Sequence, residues 1–238
     1  MSTGMPAKRE RELVASSSYM QLKYSEGRAP QTAYPDKLVE YLGRTAYRGT
    51  GMLLDLGCGR GDQLEAFRRA GFEAVGVDIH DDRHPSALRV DLDEPLPFES
   101  HSFDCVFTKS VVEHLSDPLF VLTEARRVLR PGGRIAVLTP SWRHTGESIF
   151  YSEYTHVRPF TLQSLAEAMQ LAGFRDVDVR YFWQLPVTWR RPFLRVATLP
   201  PRILRLPYRP LDEVASPAWL NRWIRFSREV MLLATGST

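Results

Sequence analysis

From Met52 onward, short apolar runs alternate with stretches whose apolar residues recur at helical spacing. The first run, Met52–Leu56, breaks into glycines, and a helix is expected from Asp62 through Leu64 and Phe67 to a stop at Gly71. Further strands are expected at 74–78, 88–91, 103–108, 134–139, 177–183 and 226–235. A short amphipathic helix is expected over 35–42. Another starts at Asp117-Pro118, with Leu119, Leu122, Ala125, Val128 and Leu129 as its apolar face. Thr161 is expected to cap a further helix carrying Leu162, Leu165, Ala168, Met169 and Leu171, ended by Gly173. Strand–helix alternation of this kind predicts an α/β, Rossmann-like, mostly parallel sheet with helices on both faces. Residues 1–34 are expected to form a tail and capping segment. Residues 35–238 form the domain, interrupted by an insertion at about 184–222.

Composition narrows the picture without deciding it. The chain has 238 residues, 43% of them hydrophobic, which suffices for one α/β domain with an appendage. Its two cysteines, Cys58 and Cys105, fall in segments expected to be buried, so they suggest neither a disulfide framework nor a metal cluster. Neither a signal-peptide core nor a run of about 18 apolar residues is present, so a cytoplasmic protein is expected. A net charge of +3 is too small to imply a nucleic-acid partner, and no RNA-binding module is visible.

The candidate chemistry lies in Leu54-Asp-Leu-Gly-Cys-Gly-Arg-Gly61. A strand, a glycine turn and a helix in succession open a Rossmann-like nucleotide site, where the ligand touches main chain. Gly57, Cys58, Gly59 and Gly61 would form that surface. Asp55 discriminates between cofactors. A dinucleotide would place its pyrophosphate near this carboxylate and be repelled. S-adenosylmethionine brings a cationic ammonium and a sulfonium, which an acid attracts. Asp78, 19 residues after Gly59, ends the next apolar run, where it can accept hydrogen bonds from ribose hydroxyls. Asp55, Asp78, Asp91 and Thr108–Ser110 all fall at carboxyl ends of expected strands and so converge on one crevice.

These segments resemble the class I S-adenosylmethionine-dependent methyltransferases, in the group of small bacterial enzymes related to ubiquinone-type and sugar methyltransferases. The resemblance continues through Val77-Asp78, Phe103-Asp104, Val112-Glu-His-Leu115 and Glu124-Ala-Arg-Arg-Val-Leu-Arg-Pro-Gly-Gly133. It implies a seven-stranded sheet with a reversed last strand. It also implies that the glycine turn holds the methionine portion of the cofactor and Asp78-Ile79 the ribose. Asp91-Leu92 would meet the adenine, and Thr108 and Ser110 would line the site near the methyl group. Lys109 departs from the commonest pattern and is expected to meet an anionic substrate instead. A shorter similarity, over Thr139-Pro-Ser-Trp142 and Tyr154-Thr-His-Val-Arg-Pro-Phe160, is to a subgroup that methylates cell-surface glycan intermediates.

Methyl transfer to a hydroxyl needs alignment and removal of a proton. His156, in a loop after the fifth strand, is the first candidate base and His114 the second. His80, His84 and His101 are expected to be solvated, and Asp81, Asp82 and His84 lack the spacing of a defined metal site, so no metal is expected. The remaining unusual feature is the segment 188–210, with six Arg, no acid and many interleaved apolar residues. A lid, a phosphate-binding surface and peripheral contact with anionic lipid at the inner face of the membrane remain open for it. The acceptor is expected to be a small molecule or a glycan intermediate, free or lipid-linked. A quinone, polyketide or other aromatic acceptor and a non-catalytic cofactor-binding module are the alternatives.

Overall fold

The structure, a computed structural model, describes residues 32–80, 84–207 and 218–238. Most of the expected 1–34 tail, together with Asp81, Asp82 and the end of the 188–210 segment, lies outside them. The described residues form a seven-stranded sheet in the order β3-β2-β1-β4-β5-β7-β6. Its strands are β1 (Met52–Leu56), β2 (Glu73–Asp78), β3 (Ala87–Arg89), β4 (Phe103–Lys109), β5 (Leu129–Pro140), β6 (Arg175–Phe182) and β7 (Met231–Ser237). β1 to β5 pair in parallel, and β7 runs antiparallel to both β5 and β6. The carboxyl ends of β1, β2, β4 and β5 therefore share one edge with the start of β7.

Alternate side chains of each strand feed two cores. Leu54, Leu56, Val106, Ile135 and Val137 face one side with Val121, Leu122, Leu165 and Met169. Leu53, Cys105, Phe107, Ala136 and Leu138 face the other, with Leu38, Leu42, Leu64 and Phe67. Such period-two alternation between two buried faces requires helices on both sides. Helix α1 (Tyr34–Thr45) and helix α2 (Asp62–Arg69) cover one side, while α3 (Pro118–Val128) covers the other. Phe67 is fully buried against Tyr47, Phe72 and Phe107, and truncating it to Ala is worth about 3–5 kcal/mol.

Local signals explain several boundaries. The Asp117 carboxylate accepts from the Leu119 and Phe120 amides, capping α3 behind Pro118. Thr161 and Ser164 form a reciprocal capping box at helix Leu162–Leu171. Four expectations need correction. α2 is preceded by Gly61 in the left-handed conformation (φ 78), so Asp62 is its first helical residue rather than its cap. Leu119 is exposed, and Pro118 and Val121 take part in the buried face instead. β5 begins at Leu129, because Arg130-Pro-Gly-Gly133 extends along Phe103–Cys105 through an irregular register. Finally, Phe226 does not begin the last strand. Ala218–Arg228 is a helix, and the strand starts at Met231, where Met231–Ala234 is buried throughout between β5 and β6.

Candidate active site

The turn after β1 is tied to the end of β2 by backbone. The Gly57 and Cys58 amides both donate to the Val77 carbonyl (2.8 and 3.0 Å), and the Gly59 amide donates to Asp78 Oδ2 at 2.9 Å. Gly57 and Gly59 have φ of 73 and 54, a region in which side-chain-bearing residues are strained. A Cβ on Gly59 would project into open space, whereas one on Gly57 would collide with Val111. Asp78 Oδ1 also accepts from the His80 amide at 3.0 Å. Each carboxylate oxygen thus keeps one accepting position for a ligand hydroxyl.

Asp55 is 2% exposed, and its Oδ2 has no hydrogen-bond partner. Burial, reinforced by the Asp78 charge and only partly offset by Lys109, pushes its carboxyl up to about 8. Thr108 Oγ1 is likewise buried without a partner. A buried acid and hydroxyl left unsatisfied beside an open glycine turn fit a cationic, hydrogen-bonding ligand such as S-adenosylmethionine. The residues that would hold it are Asp55, Gly57, Gly59, Asp78 with the adjacent Ile79, and Thr108.

Other expected contacts are refined. The Cys58 thiol packs against Gly76, and burial pushes it up to about 12, so only its backbone is available to a ligand. Leu92 is buried in the core, leaving its backbone for any cofactor contact, while Asp91 Oδ1 accepts from the Asp93 amide. Ser110 is exposed at φ 56, directly after β4. The His84 ring lies over Gly61, and the two line one cavity with Arg60, Asp62 and Glu65. His84 is therefore not solvated, and its Nε2 stands 3.2 Å from Glu65. His101 is exposed, with Nδ1 bonded to the Leu129 carbonyl.

The carboxyl ends of β4 and β5 carry a second group of residues. Glu113 is fully buried, accepts from Thr139 Oγ1 at 2.9 Å, and has its carboxyl raised to about 7 by burial. Its carbonyl accepts from the Val157 and Arg158 amides, drawing the later loop onto the earlier one. That contact brings His114 and His156 together, with ring centroids 4.7 Å apart. The two candidate bases are thus neighbours. His156 is buried and His114 half-buried. Lys109 feels the charges of Asp55, Glu113, Arg225 and Glu229, and burial lowers its pKa while Glu113 opposes that shift. Lys109 thus sits among acids, not in a purely cationic pocket for an anion. The buried carboxylate of Glu113 and the proximity of Glu229 were not foreseen. An acid inside the otherwise apolar Val111-Val-Glu-His-Leu115 was the available signal for Glu113, while nothing local marks Glu229.

A glycine turn bridging β1 to β2 beside a buried acid, on a sheet with reversed β7, defines the S-adenosylmethionine-dependent methyltransferase class. The fold matches a SAM-dependent methyltransferase from Archaeoglobus fulgidus, with TM-score 0.62, 20% identity, and coverage of 94% of this chain and 99% of that one. It also matches Haemonchus contortus phosphoethanolamine N-methyltransferase 2 bound to S-adenosylhomocysteine, with TM-score 0.60, 18% identity and coverage of 97% and 58%. Residues 26–179 match the model of the methyltransferase domain family, and the chain belongs to that family. A ubiquinone biosynthesis O-methyltransferase of Cereibacter sphaeroides is 31% identical over 161 residues, 58% of this chain and 65% of that enzyme. The match thus spans less than two thirds of that relative's length.

Proposed function

We propose that this protein is an O-methyltransferase whose acceptor is a sugar or glycan-assembly intermediate held at a membrane surface. S-adenosylmethionine supplies an already activated methyl group. Asp55, the glycine turn and Asp78 bind and orient it, and the Glu113, His114 and His156 cluster handles the acceptor hydroxyl. His156, or His114 beside it, would take the proton through a ring nitrogen.

The observation that carries the membrane part is the exposed apolar face of the segment after β6. Phe193, Ile203 and Leu204 are 70%, 73% and 66% exposed, among Arg190, Arg191, Arg195 and Arg205. Trp189, by contrast, stacks on Phe182 and anchors the segment to the domain. Anchored aromatics below and exposed apolar and basic residues above suit an interfacial surface facing anionic lipid. Burial, with smaller contributions from the charges of Arg202 and Arg143, depresses His144 to about 4. Among the described residues no helix is long and apolar enough to cross a membrane. The ubiquinone-pathway relative favours a second reading, a phenolic lipid acceptor.

Release of S-adenosylhomocysteine should be measured with lipid-linked sugars and demethylated quinols, each in anionic and neutral vesicles. Turnover with a lipid-linked sugar, stimulated by anionic lipid and suppressed by salt, is the expected result. Turnover only with quinols selects the second reading. Cofactor binding with no turnover on any acceptor leaves a non-catalytic binding module. Changing Phe193, Ile203 and Leu204 to Ser should abolish vesicle binding while leaving cofactor affinity intact.

A further inference from the structure

β5 and β6 end at the same level on either side of β7, since Pro140 and Phe182 both pair with Met231. Ser141–His144 and Trp183 therefore leave the sheet near each other at its carboxyl edge. His144 packs edge-on against Tyr181 and Trp183, with ring centroids 4.6 and 6.2 Å apart. Its Nδ1 lies 3.0 Å from the hydroxyl of the buried Ser141. The Arg195 guanidinium lies over the Trp183 ring, 4.9 Å from its centroid. His144 feels the charges of Arg202 and Arg143, and Arg202 feels that of Arg143. Arginines from two segments distant in sequence thus gather around one histidine and one tryptophan. The segment bearing Arg202 is fixed there by Arg228, whose Nη1 donates to the Leu206 carbonyl at 2.7 Å, and by the burial of Thr198 and Pro201.

This cluster lacks the acids that balance arginine elsewhere. Arg68, Arg69, Arg127, Arg130 and Arg180 each meet a carboxylate at 2.6–2.8 Å. Among the described residues, Arg143, Arg195 and Arg202 meet none, although burial already lowers the pKa of Arg202. Trp183 Nε1, which can only donate, is buried without an acceptor. Like charges held together repel, and an anion between them removes the repulsion while supplying the missing acceptor. Guanidinium forks match the oxygens of a phosphate group, two of which can accept side by side.

We propose that Arg143 and Arg202, with Arg195 and Trp183 beside them, form a subsite for a phosphate or diphosphate group of the acceptor. The helix Trp142–Phe150 carries Arg143 and His144 at its start and ends at Phe150, whose ring centroid lies 4.6 Å from that of His156. A phosphate group held at one end of this helix leaves the remainder of the acceptor to extend toward the candidate bases at the other. That placement deepens the proposed function and rests on it, whereas the binding of phosphate does not.

The test is calorimetry of the full chain with inorganic pyrophosphate, and flotation of the same protein with neutral vesicles carrying farnesyl diphosphate. Saturable, stoichiometric binding is expected. Arg143→Gln combined with Arg202→Gln should weaken it at least about tenfold, the scale of lost charge-assisted hydrogen bonds. Arg48→Gln combined with Arg175→Gln removes the same charge from exposed positions beside the starts of β1 and β6, at the opposite edge of the sheet. That pair should change the affinity less than about twofold, as sites this far apart act independently. S-adenosylmethionine affinity, measured on the same samples, should be unchanged and reports that the variants are folded. Pyrophosphate should also shift the Trp183 indole and His144 ring resonances. Binding of both probes, each lost with Arg143 and Arg202, supports a phosphate subsite whatever carries the group. Binding of the vesicles alone, lost in the same variant, supports a subsite for a lipid-borne diphosphate. No saturable binding of either probe, equal weakening by the two pairs, or unmoved His144 and Trp183 resonances would overturn the proposal. The readout is binding, so failure of every acceptor to be methylated would count against the transferase reading alone.

Discussion

The two halves of the strand-end edge are built in different ways. At the β1–β2 end, Asp55, Gly57, Gly59 and Asp78 lie within one strand–helix–strand unit, and backbone amides lock the turn to Val77 and Asp78. At the β4–β5 end, Glu113, His114 and His156 meet where the Val157 and Arg158 amides donate to the Glu113 carbonyl and His114 Nδ1 lies 3.2 Å from the Thr155 carbonyl. The first half depends on local backbone conformation, the second on the closure of two loops. Substitutions should therefore act on cofactor binding in the first half and on turnover in the second.

Gly59→Val should produce the largest effect. Its positive φ disfavours a β-branched residue, and the new side chain would fill the open space over the turn. Binding of S-adenosylmethionine should become undetectable by calorimetry, with the fold retained by circular dichroism; wild-type affinity would break the assignment of this turn. His156→Ala comes next. A fall in turnover of about 10²–10⁴-fold with cofactor affinity nearly unchanged is expected for loss of a general base. Turnover within a few-fold of wild type would make His156 a packing residue, and His114 the next to change.

Asp78→Ala should weaken the cofactor by about 1.5–3 kcal/mol, the cost of lost charge-assisted hydrogen bonds. It also removes the acceptor for the Gly59 and His80 amides, so the turn itself should loosen. An unchanged dissociation constant would contradict the ribose role. The smallest effect concerns pH. Asp55, with its carboxyl raised to about 8, is mostly protonated at neutral pH without ligand. A cationic ligand favours the ionised form, so binding at pH 7 should release a proton and affinity should fall as pH drops below about 8. Because this pKa is raised on folding, its contribution to stability is full below the unfolded value and lost as pH rises through about 8. Asp55→Asn should flatten both profiles, read from calorimetry in buffers of different ionisation enthalpy and from thermal unfolding. Equal slopes in both proteins would exclude Asp55 as the linked group.

Local pattern was sufficient for the parallel part of the sheet, the caps at Asp117 and Thr161, and the glycine turn after β1. In each case the governing interaction, a hydrogen bond or a glycine conformation, spans few residues. It misled at 226–235, where Phe226-Ser-Arg228 belongs to a helix while the apolar run from Met231 forms the strand. A short apolar run beside an amphipathic stretch does not state where the period changes; burial between β5 and β6 decides that boundary. The solvated reading of His84 failed for a related reason, since its ring lies over Gly61, 23 residues away.

The sequence by itself determined the cofactor class, because glycine at positive φ and an acid at each strand end follow from neighbours along the chain. Tertiary structure alone decided the β4–β5 end. Whether Asp55 holds its proton, that the His114 and His156 rings meet, and that Glu113 stands beside them all depend on burial and on contacts distant in sequence. Electrostatics in a buried site is set by everything packed around it, and that packing is not written at any one position.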